Sequence, residues 1–167
     1  MSLSSSALEA AYLRLEKPIY NYLYRWFWDA TTCEDLMHDA FERVWHRRMR
    51  VDAKRIDALL WTTVINLARN RKRSSKRWQW LPLPVSLLAP GDPELLADLD
   101  ERDRLLRQAL NQLPPSSREV LLLELYSGLE RSEVARCLGV PEGTVASRKH
   151  AAMRRLRALL EEDSDES

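Results

Sequence analysis

Apolar residues recur along this chain at spacings of three and four, the period of helices that bury one face. From residue 7 to about 28 the stripe runs through Leu8, Ala11, Tyr12, Leu15, Ile19, Tyr22, Leu23 and Trp26. A second stripe of Leu36, Ala40, Phe41 and Val44, with Trp45 at its border, predicts a helix over about 33–48. Thr31 with Glu34 three residues later reads as its capping box. A third helix over about 56–74 carries Ile56, Leu59, Leu60, Thr63 and Leu67 on one side. The pattern resumes over 102–113 with Leu105, Leu106, Ala109, Leu110 and Leu113, and Pro114-Pro115 stops it. Ser116 with Glu119 predicts a capped helix over 117–126, and Ser127-Gly128 a turn. No stretch alternates apolar and polar residues as a half-buried strand would.

Residues 132–153, SEVARCLGVPEGTVASRKHAAM, read as two short helices joined by a tight turn. Ala135 is small enough for close helix approach, and Gly139 permits the positive φ that leaves the first helix. Pro141 suits the first position of the second helix, where an N–H has no partner anyway. Val145 supplies the apolar residue that packs this helix back. Its N-terminal half then displays Thr144, Ser147, Arg148 and Lys149, the short polar and cationic groups a recognition helix offers to base edges and phosphates. The helix closes through Ala152, Met153, Leu156, Leu159 and Leu160.

Between the two helical series lie Pro82, Pro84, Pro90 and Pro93 with Gly91, a density that forbids a continuous helix. Trp78, Trp80, Leu81, Leu83, Val85, Leu87 and Leu88 make this linker too apolar for a freely solvated tether, so it is expected to lie in a groove of this protein or of a partner. The predicted architecture is all-α: two small helical domains, 1–77 and 102–160, joined by a Pro-rich linker at 78–101. The C-terminal domain contains the helix-turn-helix, and an acidic tail at 161–167 is expected to be disordered. Charge follows the same division. Residues 1–77 hold 15 Lys/Arg against 9 Asp/Glu, the linker has five acids and no base, residues 102–160 hold 11 against 6, and the tail adds five acids. The net charge of +1 therefore conceals two basic blocks suited to polyanions.

Composition removes several function classes. No apolar run approaches the roughly 18–20 residues of a membrane span, and the N-terminus lacks the pattern of a signal peptide. A cytoplasmic protein is expected, without membrane insertion. Two cysteines, Cys33 and Cys137, are too few for a disulfide framework, and no His/Cys cluster has metal-ligand spacing. They read as small buried or half-buried residues. No P-loop and no nucleophile–base arrangement appears, so neither a catalytic site nor a metal or other cofactor is expected.

Two segments resemble the extracytoplasmic-function sigma factors, the two-domain bacterial initiation subunits of RNA polymerase. CEDLMHDAFERVW at 33–45 is similar to the family's acidic, aromatic-ended helix that docks on the polymerase clamp. LNQLPPSSREVLLLELYSGLERSEVARCLGVPEGTVASRKHAAMRRL at 110–156 is similar to its −35-binding domain almost end to end. The resemblance implies a non-enzymatic factor that binds core RNA polymerase, recognises −35 and −10 promoter elements and helps open the −10 DNA. Asp35, His38, Asp39, Glu42, Arg43 and Trp45 would then face polymerase. Residues 49–70 fall where the family captures and separates the −10 strands, with a loop at about 50–57 placed to receive an unstacked base. Asn66 matches the family's asparagine there and can read a base edge. Trp61 either stacks on a base or stays in the core. Asn70 belongs to the same −10 set. Arg69, Arg71, Lys72, Arg73, Lys76 and Arg77 offer phosphate contacts, each steepening the salt dependence of binding.

In the −35 domain, Ser147, Lys149 and His150 are candidates for base edges, His150 equally for a merely exposed position. Thr144, Arg148, Arg131, Ser132 and Arg154 fit phosphates. Arg118 is either structural or a backbone contact. The sequence departs from the family at His38, where glutamine is common, at Leu59, where tryptophan is common, and at Asn70, where aspartate is frequent. Ala146 and Ala151 stand where the family's recognition helices often carry basic residues, which argues against borrowing its promoter consensus; alanine offers only apolar contact, for example to thymine. The resemblance also implies an anti-sigma partner that would hide the polymerase and DNA surfaces, and the linker is a second means of closing the free protein. Double- and single-stranded promoter DNA and core polymerase are the remaining partners, with the active protein at the nucleoid. The alternative is a conventional helix-turn-helix regulator binding duplex DNA without polymerase. That explains 114–160, but not the acidic-then-basic helix series or the apolar linker.

Overall fold

A computed structural model describes the backbone of residues 4–78 and 101–165, and the side chains of 4–74 and 101–161. The linker expected over 78–101 lies outside the described residues from 79 to 100. The chain divides into two units, 1–93 and 94–167. Every described element is helical.

The first unit contains α1 (Ser5–Phe27), α2 (Ala30–His46) and α3 (Ile56–Trp78), with short 3-10 turns at Arg48–Arg50 and Ala53–Arg55. Each of the three helices packs on the other two. Their apolar stripes meet in one core: Ile19, Tyr22 and Leu23 from α1, Ala40 and Val44 from α2, and Leu60, Trp61, Val64 and Ile65 from α3 are each at most 1% exposed. Burying a side chain of this size stabilises by about 1.5–3 kcal/mol, which offsets the cost of Pro18 inside α1. Asp57 at the start of α3 takes two hydrogen bonds from Arg14 of α1, from Nε at 3.2 Å and from Nη2 at 2.5 Å.

The α1–α2 corner departs from the sequence expectation. Trp28 ends α1 in the left-handed region at φ 54°. That conformation costs a non-glycine residue about 1–2 kcal/mol, and burial of the ring, 4% exposed, holds it there. The Arg25 guanidinium lies 4.9 Å from the Trp28 ring centroid. The chain then leaves extended at Asp29, whose carboxylate accepts from the Thr32 amide at 3.1 Å and from the Thr32 hydroxyl. Asp29, not the expected Thr31–Glu34 box, therefore caps α2, and the helix starts three residues early.

The second unit contains α4 (Glu101–Asn111), α5 (Pro115–Tyr126), α6 (Arg131–Leu138) and α7 (Glu142–Asp165). Helix α7 packs against all three others. It does so with a seven-residue stripe, Val145 at 0%, Ala152 at 1% and Leu159 at 6% exposure. Here too a cap moved. Pro115 occupies the first turn of α5, and the Pro114 carbonyl accepts from the amides of Ser117 and Arg118, so the Ser116–Glu119 cap does not form. Ser117 and Glu119 are buried instead. A reciprocal capping box between Glu130 and Glu133 starts α6, and Gly139 ends it at φ 69°. Pro141 lies one residue before α7, and its carbonyl accepts from Thr144 and Val145. Helix α7 continues to Asp165, into the tail expected to be disordered, because no glycine or proline interrupts 144–165.

Cys33 is fully buried at the start of α2. Burial, reinforced by the Asp29 carboxylate, pushes its thiol up to about 12. Since thiolate is the reacting form, a maleimide at mildly alkaline pH should leave Cys33 unlabelled in the folded protein and label it in denaturant. Rapid labelling of the folded protein would contradict this packing.

Candidate functional site

The outer face of α2 carries acidic and basic side chains, some of them paired one turn apart. Asp35 and His38 are exposed. Asp39 accepts from Arg43 Nε at 2.8 Å, and Glu42 lies 3.5 Å from His46 Nε2. Trp45 is half-buried at the end of this row, with the Arg48 guanidinium 4.4 Å from its ring centroid. The cation covers the ring face and leaves an amphipathic edge. Leu36, Met37, Ala40, Phe41 and Val44 hold the opposite face of α2 in the core, so the acidic row cannot turn inward.

Helix α3 changes character along its length. Its first half is core, and its second half exposes Asn66, Asn70, Arg71 and Arg73, with Arg69 half-buried. Lys72 is half-buried, its Nζ 5.8 Å from the Trp26 ring and 5.1 Å from the Phe27 ring. The side chains of Lys76 and Arg77 lie outside the described residues. Before α3, Arg47, Arg50, Lys54 and Arg55 are exposed, as is Met49 at 74%.

Trp61 does not belong to this surface. It is 0% exposed, with Tyr22 edge-on to it at 5.6 Å between centroids. A base cannot reach the ring without opening the bundle, so of its two sequence readings the structure takes the core one and removes it from the −10 set.

In the second unit, the exposed side of α7 carries Ser147 and His150, then Arg154, with Thr144, Arg148 and Lys149 half-buried. Ser147 Oγ donates to the Thr144 carbonyl at 3.1 Å. Arg131, Lys149, His150, Arg154 and Arg157 line one open groove between α6 and α7. Arg157 was missed in the sequence, although it continues the stripe three residues after Arg154. Ser132 is exposed on the first turn of α6.

Arg118 is a second correction. It is 5% exposed and donates from Nη1 to Asn111 Oδ1 at 2.7 Å, tying α5 to α4. A guanidinium so placed cannot reach a DNA backbone, and its role is structural.

Also missed was Glu124, whose carboxylate accepts from both Arg131 and Lys149. Burial alone would raise this carboxyl, but the hydrogen bonds from Lys149 and Arg131 more than offset it and hold it below its ordinary value. No local motif marks Glu124, because its partners lie 7 and 25 residues away. Among the described residues no group of His, Cys, Asp and Glu is arranged to hold a metal ion, and no helix is long and apolar enough to cross a membrane.

The sequence matches the family models for sigma-70 region 2 over residues 11–78 and for sigma-70 region 4 over residues 103–156. It is 32% identical to the ECF RNA polymerase sigma factor SigL of Mycobacterium tuberculosis, across 95% of this chain and 94% of that protein. The chain belongs to the extracytoplasmic-function sigma factors. The RNA polymerase sigma-E factor of Streptomyces coelicolor is 33% identical over 79% of this sigma factor and 73% of its own length. Two solved structures share the fold. One is CnrH in complex with the cytosolic domain of CnrY, at TM-score 0.72 and 24% identity over 96% of this chain and 91% of that one. The other is the sigma factor RpoE with the anti-sigma factor NepR from Bartonella quintana, at TM-score 0.64 and 22% identity over 92% and 96%. The sigma factor therefore works with core RNA polymerase and promoter DNA, and the conventional regulator is not favoured.

Three substitutions separate core from surface. Trp61→Ala should destabilise the first unit by about 3–5 kcal/mol, whereas Asn66→Ala should stay within about 0.5 kcal/mol. Arg118→Ala should destabilise the second unit by about 1–3 kcal/mol without changing the salt slope of DNA binding. Denaturant titration followed by salt-dependent binding measures both; a stable Trp61→Ala protein or a shallower slope for Arg118→Ala would contradict the assignments.

Proposed function

We propose that two domains divide promoter recognition, one over 1–77 in the first unit docking on polymerase and engaging the −10 element, the other over 102–160 in the second unit reading the −35 element. The segregation of charge by helix supports this reading most strongly: acids line the outer face of α2, while cations crowd the second half of α3 and the exposed side of α7. Asp35, His38, Asp39, Glu42 and Arg43, with Trp45 at the edge, form the surface for the polymerase clamp, where polar complementarity steers a reversible association. Asn66 and Asn70 face the −10 bases, and Arg69, Arg71, Lys72 and Arg73 hold the phosphates, with Lys76 and Arg77 extending the row.

On α7, Ser147, Lys149 and His150 meet base edges of the −35 duplex. Arg131, Ser132, Thr144, Arg148 and Arg154 fix the register on its backbone. Polymerase performs the chemistry, in the cytoplasm and at the nucleoid, and this chain selects the site without being an enzyme. A partner such as the anti-sigma factor bound to Bartonella quintana RpoE would act by covering these surfaces.

Reversing two charges on α2 tests the docking half. Asp35→Lys with Glu42→Lys should weaken binding to core RNA polymerase at least about tenfold, by analogy with charge reversal across a complementary interface. Run-off transcription should fall in parallel while the melting temperature holds. Undiminished core binding by this variant would reject α2 as the docking face.

A further inference from the structure

The recognition helix does not display its lysine freely. Glu124, on the last turns of α5, has a side chain only 10% exposed, beneath the helix-turn-helix. Its Oε2 accepts from Lys149 Nζ at 2.6 Å, and its Oε1 accepts from Arg131 Nε at 3.2 Å. One carboxylate thus joins the supporting helix, the first residue of α6 and the middle of the recognition surface of α7.

We infer that Glu124 is a positioning residue for −35 discrimination, holding the Lys149 ammonium and the Arg131 guanidinium in fixed places before DNA arrives. This rests on the −35 reading of the second unit proposed above. The contact uses one of three donors on Lys149 and one of five on Arg131, so donors remain for a base edge and a phosphate. Lys149 is 35% and Arg131 47% exposed, so each is reachable while tethered. An untethered lysine is a flexible point charge that satisfies itself on any nearby phosphate, which adds affinity for every sequence alike. The tether removes much of that freedom, and the carboxylate's own charge opposes indiscriminate phosphate contact. Glu124 therefore lowers binding to random duplex and leaves specific binding, where Lys149 already stands in register, largely intact. Its effect is on the ratio of the two, the quantity promoter search depends on.

The test is a selection with holoenzyme, assembled from core RNA polymerase and the full chain, on duplex fragments randomised across the upstream element. Glu124→Gln preserves size and an acceptor oxygen while removing the charge. The wild type should recover a defined motif. Glu124→Gln should recover it with preference at the position facing Lys149 reduced about fivefold to tenfold, while retention of random-sequence duplex rises. Lys149→Met should flatten the same position, and adding Glu124→Gln to Lys149→Met should flatten it no further. A Glu124→Gln motif of full wild-type contrast overturns the proposal. Loss of random-duplex retention together with the motif also overturns it, because that is the mark of a damaged fold. A wild type that recovers no upstream motif fails differently: it removes the −35 assignment itself.

Discussion

Burial of Trp61 against Tyr22 in the first unit decides what the three helices around it can do. A unit this small has one core, and that core takes a face of every helix. With Trp61, Leu60, Val64 and Ile65 turned inward, the rotation of α3 is fixed, and Asn66, Asn70 and the arginines of its second half must face out. The same core fixes α2 through Ala40 and Val44, which leaves Asp35, His38 and Glu42 on the outside. The acidic and basic surfaces are therefore consequences of one packing solution, and neither can shift without reopening the core.

The second unit solves a harder version of the same problem. Helix α7 supplies the stripe that holds its domain together and also the face proposed to meet DNA. Val145, Ala152 and Leu159 recur every seven residues, which keeps the opposite side of the helix continuous from Ser147 to Arg157. Gly139, in the left-handed region at the end of α6, makes the turn tight enough for α6 to lie on α7. Glu124 then joins the rigid part of the domain to two of the cations on its surface. Positioned charge on a fixed helix is what separates a reader of sequence from a generic polyanion binder.

Helical periodicity made the elements legible because each stripe is long and its polar face consistent. The helix-turn-helix was legible for a different reason: Ala135, Gly139 and Val145 each answer a local steric demand of the tight turn and its packing. Helix starts were less readable. Thr31–Glu34 and Ser116–Glu119 satisfy the capping pattern, but Trp28 in the left-handed region released Asp29 to cap α2, and Pro115 began α5 earlier. Both outcomes depend on tertiary burial or on a neighbouring backbone conformation. Among the site residues, Trp61 and Arg118 carry chemistry that suits DNA, and only packing shows that neither is available. Glu124 is the converse case, an unremarkable acid in sequence whose importance arises from partners brought to it by folding.

Three surfaces of this sigma factor are proposed to meet three different targets. Site-specific photocrosslinking in one holoenzyme–promoter complex tests this directly, with the reactive group placed in turn at Asp35, Asn66 and Ser147, all exposed. A protein crosslink to polymerase is expected from Asp35, a crosslink to the −10 strand from Asn66 and one to the upstream duplex from Ser147. Crosslinks from Asn66 and Ser147 to the same DNA element, or from Asp35 to DNA, would contradict these assignments.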